Sequence, residues 1–400
     1  MGQVSLVKTN RGIKESLNEA LDLIGGLGHY IKRSDKVMLK PNLNGLEGYT
    51  NKELVESLIQ LLFDLNVREV FIAESTFGDK YNTNMLFNKT GFFELANQYG
   101  IDLINVNESE VIEVKVKNSL VLDKIQVARE VLEADKIINL PNMKVHYATG
   151  ISLAMKNLKG LLVGDEKRHF HEVGLHKAIV DLNNTIGVSL NIVDAISCME
   201  RMGPRGGDIV KLDLIMAGES SAEVDYIGSL VMGYNISEIK HLEYYIKVND
   251  IDLRNIDIVG ESIENVRYPF KKVMVESIIP KKIKIHNKNA CCSCMNAFLL
   301  SCSFLHGNLT DNIDIYLGSL VEKKEHPLPC PLPAGERKRG EGPCNGGPGG
   351  IKVAFGNCCP KDMAFDKRIK GCPPYPFALS DCLKENIIED CLNENIRSVR

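Results

Sequence analysis

Residues 36–73, KVMLKPNLNGLEGYTNKELVESLIQLLFDLNVREVFIA, hold a complete strand–helix–strand unit. KVMLK (36–40) and EVFIA (69–73) are short apolar runs with no polar alternation, the pattern of strands buried on both faces. Between them, Lys52 to about Leu65 carries apolar residues at helical spacing. Two strands joined through a helix imply a parallel pair. The rhythm recurs along the chain. VSLVK (4–8), KIINL (136–140), LNIVD (190–194) and LDLIMA (212–217) read as strands, while Met85–Gln98 and Glu223–Met232 read as helices. The pattern predicts an α/β fold with a mainly parallel sheet and helices on both faces, over residues 1–275. In such sheets, sites form at the carboxyl ends of the strands.

The chain has 400 residues, 44% hydrophobic and 25% charged, which is enough for two cores. A formal net charge of −4 and the shortness of basic stretches such as Lys281–Lys284 argue against a nucleic-acid partner. No apolar run reaches the roughly 18–20 residues that span a bilayer, so no membrane role is expected. The N-terminus lacks the form of a signal peptide, and a cytoplasmic location is the default expectation.

Cysteine is distributed unevenly. Of twelve cysteines, eleven lie between Cys291 and Cys391. Clustered thiols in a long chain without an export signal point to metal and not to disulfides. From about residue 276 the βα rhythm is expected to end, and residues 276–385 read as a small cysteine-rich metal-binding module, with a tail over 386–400. The stretch 323–350, KKEHPLPCPLPAGERKRGEGPCNGGPGG, is expected to be a disordered insert in that module, with Cys330 and Cys344 as passengers. Cys291 and Cys294 form a C-x-x-C knuckle, and Cys358 and Cys372 close a set of four. Those four thiolates suit a [4Fe–4S] cluster, and glycine before with proline after a ligand suits close backbone approach and a stiff exit. Zinc on four cysteines is the alternative. Cys292 competes with Cys291 for a ligand place and Cys359 with Cys358, while Cys302, Cys382 and Cys391 read as inert thiols.

Three polar stretches follow strands in the first 275 residues. They are Lys40-Pro41-Asn42 with Thr50, then Pro141 to Thr149 running on to Lys156-Asn157, and then Glu200 to Gly207. Lysines, amides and glycine-rich turns near helix starts are the materials of an anion site. Lys40, Asn42, Thr149, Lys156, Asn157, Gly203 and Gly207 are therefore the candidate binders of a small carboxylate or phosphate. Four of the nine histidines lie between His146 and His176. Lys144, His146 and His171 are the candidates for proton transfer, whereas His169 and His176 read as structural. No GxGxxG or GxxxxGK[ST] occurs in suitable context, so nucleotide readings lack support.

KPN after an early strand, K-x-H followed by K-N-x-x-G, the later VDAI and GP-x-x-G elements, and Asp225 after a small-residue run together resemble the family called domain of unknown function 362. The resemblance spans about residues 2–240. Members of that family often carry iron–sulfur modules, and the C-x-x-C-x-N-A, G-N-C and G-C-P-P elements here are similar to a cysteine module on some members. They differ from a bacterial ferredoxin repeat, which implies one cluster. The expectation is an iron–sulfur redox enzyme acting on a small anion, served by an electron-donor protein. Two alternatives stay open: a structural or electron-carrier module for a partner protein, and a non-redox lyase or isomerase using the cluster as a Lewis acid.

Overall fold

Strand-forming runs bury both faces of one large sheet in the computed structural model. The structure describes residues 2–76, 80–287, 290, 292–303, 305, 308–318, 350–356, 359–361, 363–370, 378–383 and 387–388. The chain divides into two compact units, Met1–Val273 and Met274–Arg400.

In the first unit the strands are β1 (Gln3–Lys8), β2 (Lys36–Pro41), β3 (Glu69–Glu74), β4 (Asp102–Asn105), β5 (Val111–Lys115), β6 (Lys124–Ala128), β7 (Lys136–Leu140), β8 (Asn142–His146), β9 (Gly150–Ser152), β10 (Leu190–Glu200), β11 (Asp208–Gly218) and β12 (Asp257–Gly260). The sheet runs β12-β1-β11-β10-β7-β2-β3-β4, with β8 pairing to β10 and β9 to β8. β10, β7, β2, β3 and β4 are parallel neighbours, whereas β11 runs against both β1 and β10. Side-chain alternation sends β2 residues into two cores. Val37 and Leu39 face one with Leu54, Leu58 and Leu62 of helix Lys52–Asp64, and Met38 faces the other with Phe71, Leu161 and Phe170. The fold is thus mixed α/β with a mainly parallel central sheet covered on both faces.

Local chemistry sets the boundaries. Asn51 caps helix Lys52–Asp64 by accepting from Glu53 N and Leu54 N at 2.8 and 3.3 Å. The helix expected over 85–98 is two helices, Lys80–Lys89 and Phe92–Tyr99, because Gly91 takes the left-handed conformation (φ 76°) between them. The polar stretch from Pro141 to Thr149, expected to follow a strand without an element of its own, supplies β8 and the turn of the β8–β9 hairpin. β8 also lies parallel to β10, which supplies long-range partners that local pattern does not reveal.

The second unit corrects the expectation that βα rhythm stops near residue 276. Strands β13 (Ile283–Asn287), β15 (Ile313–Leu317), β16 (Ile351–Phe355) and β17 (Lys367–Ile369) form a four-stranded sheet, every pair parallel. Helix Cys292–Ser303 connects the first two. A small ladder pairs β14 (Asn308–Leu309) with β18 (Ile387–Ile388). IKIHN, IDIYL and IKVAF are ordinary strand sequences; the surrounding Cys, Pro and Asn hid their period. The expected insert at 323–350 lies, apart from Gly350, outside the described residues. Among the described residues no helix is long and apolar enough to cross a membrane.

Candidate functional site

The carboxyl ends of β2, β3, β7 and β8 gather most of the first unit's buried cations. Lys40 is fully buried, with Nζ donating to Pro41 O at 2.7 Å and to Glu74 Oε2 at 2.5 Å. Burial lowers its pKa, and Glu74 opposes that. Glu74 in turn accepts from Ser75 N at 2.7 Å. Lys167 reaches the same strand end and donates to Ser75 O at 2.8 Å, Thr76 O at 3.0 Å and the Ser75 hydroxyl. Burial pushes Lys167 down to about 7. Lys40 and Lys167 are therefore engaged by the protein itself.

Lys144, on β8, is also buried. Its Nζ donates to Asn42 Oδ1 at 2.5 Å, and burial followed by repulsion from Lys156 brings it down to about 7. Asp194 sits near it, anchored by Asn51 N, Ile196 N and the Asn142 amide, with its own carboxyl raised by burial. On the far side Arg205 donates to Asn44 O at 2.6 Å and Asn44 Oδ1 at 2.9 Å, fixing the loop after β2.

His146 ends β8. Its Nδ1 accepts from Ala148 N at 3.1 Å and Thr149 N at 3.3 Å, so that nitrogen carries no proton and the hydrogen-bond pattern assigns the Nε2–H tautomer. Burial first, then Lys156, holds it well below the ordinary histidine range. The Thr149 hydroxyl is directed to Ile151 O at 2.7 Å. Lys159 Nζ lies 2.9 Å from His171 Nε2, and His171 is depressed by burial and by Lys159. Lys156 contacts Ser152 Oγ at 3.5 Å.

Behind these groups is a buried trio of Asp225, named in the sequence only as an element of the family resemblance, His176, expected to be structural, and His241, not among the candidates. Asp225 accepts from Ala154 N at 2.6 Å and Met155 N at 3.2 Å. Burial pushes its carboxyl up to about 8 against those two donors. His241 Nε2 is 3.9 Å from Asp225 Oδ2, and the His241 ring stacks on His176 at 6.1 Å. Burial brings both histidines down to about 3. His169, by contrast, is exposed.

Of the residues singled out from sequence, Asn42, Lys144 and Asn157 are joined in one hydrogen-bonded chain, Lys40 turns to Glu74, and Lys159, which the reading passed over, meets His171. Gly203 and Gly207 line the turn after β10. A Cβ on Gly203 would stand 1.6 Å from Val145 O, and one on Gly207 2.4 Å from Glu200 O. Both positions thus require close backbone approach. Gly203→Ala is expected to cost about 2–3 kcal/mol, read as a fall in the urea midpoint; a midpoint unchanged from wild type would show that the turn yields freely.

In the second unit, Cys294 is buried in the first turn of helix Cys292–Ser303. Cys359 is buried and its thiol donates to Tyr316 O at 3.1 Å. The expected ligands Cys291, Cys358 and Cys372 lie outside the described residues. Among the described residues, no group of three His, Cys, Asp or Glu is arranged to hold a metal ion.

The chain is 26% identical over 223 residues to a thylakoid-associated protein of Synechocystis, covering 53% of this chain and 67% of that protein. In fold it is similar to the lactate racemase apoprotein of Thermoanaerobacterium thermosaccharolyticum (TM-score 0.40, 12% identity, 60% of this chain). A Thermotoga maritima crystal structure is also similar (TM-score 0.31, 14% identity, 60% of this chain). The chain spans 58% of the length of each of those two structures. The stretch that carries Lys40, Lys144, His146, His171 and Asp225, residues 37–229, is what matches the family model described as Domain of unknown function (DUF362).

Proposed function

We propose that the first unit binds a small carboxylate or phosphate over Lys144, Lys156, His146 and His171 and moves a proton to or from it, and that the second unit carries a [4Fe–4S] cluster on Cys291, Cys294, Cys358 and Cys372. One observation carries the first half. Lys144 is a buried amine brought to about 7, held among the described residues by the neutral Asn42 amide, and two residues along β8 from a histidine locked as an Nε2–H donor. An amine with that pKa is poised both to give and to accept a proton near neutrality. The His146 Nε2–H offers a hydrogen bond to an anionic oxygen without adding a charge that would repel Lys144. Asn42, itself held by Asn157, holds Lys144, while Lys156 adds charge.

The second half has topological support. β13, β15, β16 and β17 are all parallel, so the carboxyl ends of these strands lie at one end of the sheet, and in sequence Cys291 follows β13, Cys358 follows β16 and Cys372 follows β17. The Cys359 thiol donates a hydrogen bond and so keeps its proton, which favours Cys358 as the ligand of that pair. A cluster there would supply one-electron transfer. In this reading the protein is a redox enzyme supplied with electrons by a donor protein.

The halves are tested separately. Anaerobically purified protein should contain about four irons and four sulfides per chain and give an EPR signal after dithionite. Stoichiometric zinc without sulfide would overturn the redox half. Titration calorimetry with inorganic phosphate and a panel of small carboxylates should find a ligand whose binding weakens at least about tenfold in Lys144→Met and Lys156→Ala. No binding by wild type anywhere in the panel would overturn the anion half.

A further inference from the structure

Asparagine is disfavoured inside strands, yet β7 and β10 each bury one, side by side. Asn139 and Asn191 are cross-strand partners, both fully buried. From them runs an unbroken line of amides. Lys144 Nζ donates to Asn42 Oδ1 (2.5 Å), Asn42 Nδ2 to Asn157 Oδ1 (2.9 Å), and Asn157 Nδ2 to Asn139 Oδ1 (2.8 Å). Asn139 Nδ2 donates to Asn191 Oδ1 (2.9 Å), and Asn191 Nδ2 to Glu219 O (2.9 Å).

Every amide accepts on the lysine side and donates on the far side. Both ends fix that direction, because the lysine donates and the backbone carbonyl of Glu219 can only accept. Side contacts reinforce it: Asn157 Nδ2 also donates to Lys40 O, Asn139 Nδ2 to Ala154 O, and the Ser221 hydroxyl to Asn191 Oδ1. Turning any one amide over would set N–H against N–H and oxygen against oxygen. Aligned hydrogen bonds polarise one another in a low-dielectric interior. The Asn42 oxygen is therefore a fixed, strengthened acceptor that cannot swing away.

We infer that Asn139 and Asn191 are positioning residues: through Asn157 and Asn42 they hold the Lys144 amine in place and favour its protonated form. This deepens the proton-transfer role proposed for Lys144 and rests on it. The line works against burial and against Lys156 and Arg205, and alongside Asp194 and Glu74, the other charged groups that act on Lys144. An apolar pair at 139 and 191 would fill the strand interior without needing partners, so the amides do something that packing alone does not require.

The test uses the full-length protein with isotopically labelled lysine, following the Lys144 side-chain NMR signal across pH. The signal is identified by its loss in Lys144→Arg. Asn139→Leu/Asn191→Leu removes both partners together and avoids leaving one stranded, so folding should survive. The expected result is a Lys144 midpoint at least about half a pH unit lower, a roughly threefold loss of ammonium relative to amine. An unchanged midpoint in the folded double variant would make the line purely structural and overturn the inference. Should that variant fail to fold, Asn191→Ser is read instead; a shift in the same direction supports the inference and no shift overturns it. A wild-type midpoint near the ordinary lysine value would instead sink the proton-transfer reading, so the two failures are distinguishable.

Discussion

Lowering the pH from 7 to 5 is expected to remove roughly 3 kcal/mol of unfolding free energy, seen as a falling urea midpoint. His146, His171, His176 and His241 are all buried and all depressed below 6.5, with burial the first cause in each case. Between the unfolded value and these lower folded values, the unfolded chain binds protons that the fold refuses. The histidines' share of the stability is therefore complete above about 6.5 and is lost as the pH falls below it. A histidine that stays neutral throughout this range contributes a loss of about 2 kcal/mol between pH 7 and 5. Asp194 and Asp225 act in the opposite sense, because their carboxyls are raised and take protons in the fold first. Glu166, Asp181 and Glu223 are raised as well, and the four imidazoles outweigh these carboxyls to leave the net loss. His241→Phe should flatten the pH dependence, since the ring nitrogens of His241 have no hydrogen-bond partner among the described residues. A midpoint constant from pH 7 to 5 would contradict the buried neutral cluster.

Lys40→Met is expected to cost about 3–5 kcal/mol, because it leaves the Glu74 carboxylate buried beside an apolar chain. The partners are enclosed on every side. The Lys40 side chain has no exposure, Glu74 has 4%, and a Cβ on Gly160 would lie 2.0 Å from Glu74 Oε1. Water can thus reach neither charge without displacing backbone. The double variant Lys40→Met/Glu74→Leu should recover most of the loss, since both charges are then removed. Two equal, additive losses in the cycle would mean that the pair is not coupled and that each residue matters for packing alone.

The strands KVMLK, EVFIA and KIINL could be read because burial on both faces gives continuous apolar runs that few other elements share. The lysine–histidine cluster could be read in outline, because Lys144, His146 and Lys156 follow strand ends closely in sequence. The uses of those residues could not. Lys167 stands among charged residues in GDEKRHFHEVGLH and reads as solvent-facing, yet its amine meets Ser75 across the fold. Asn139 sits in an apolar strand, and the misfit of an amide there was a signal; its partners Asn157 and Asn191 come from a helix and a neighbouring strand. His241 lies beyond the polar stretches and reaches Asp225 only through the packing of its helix. The second unit's sheet was hidden by composition: cysteine, proline and asparagine between the strands drew attention from IDIYL and IKVAF.

β15 ends at Leu317 and β16 begins at Ile351, yet the two lie side by side in register from Ile313–Ile351 to Leu317–Phe355. Parallel neighbours need a crossover whatever its length, and each doubling of a flexible crossover costs only about 0.6 kcal/mol. The partnership of β15 and β16 is thus set by the register of their own backbones and the apolar residues they bury, Ile313, Ile315 and Leu317 beside Val353 and Phe355, and not by the length of chain that joins them.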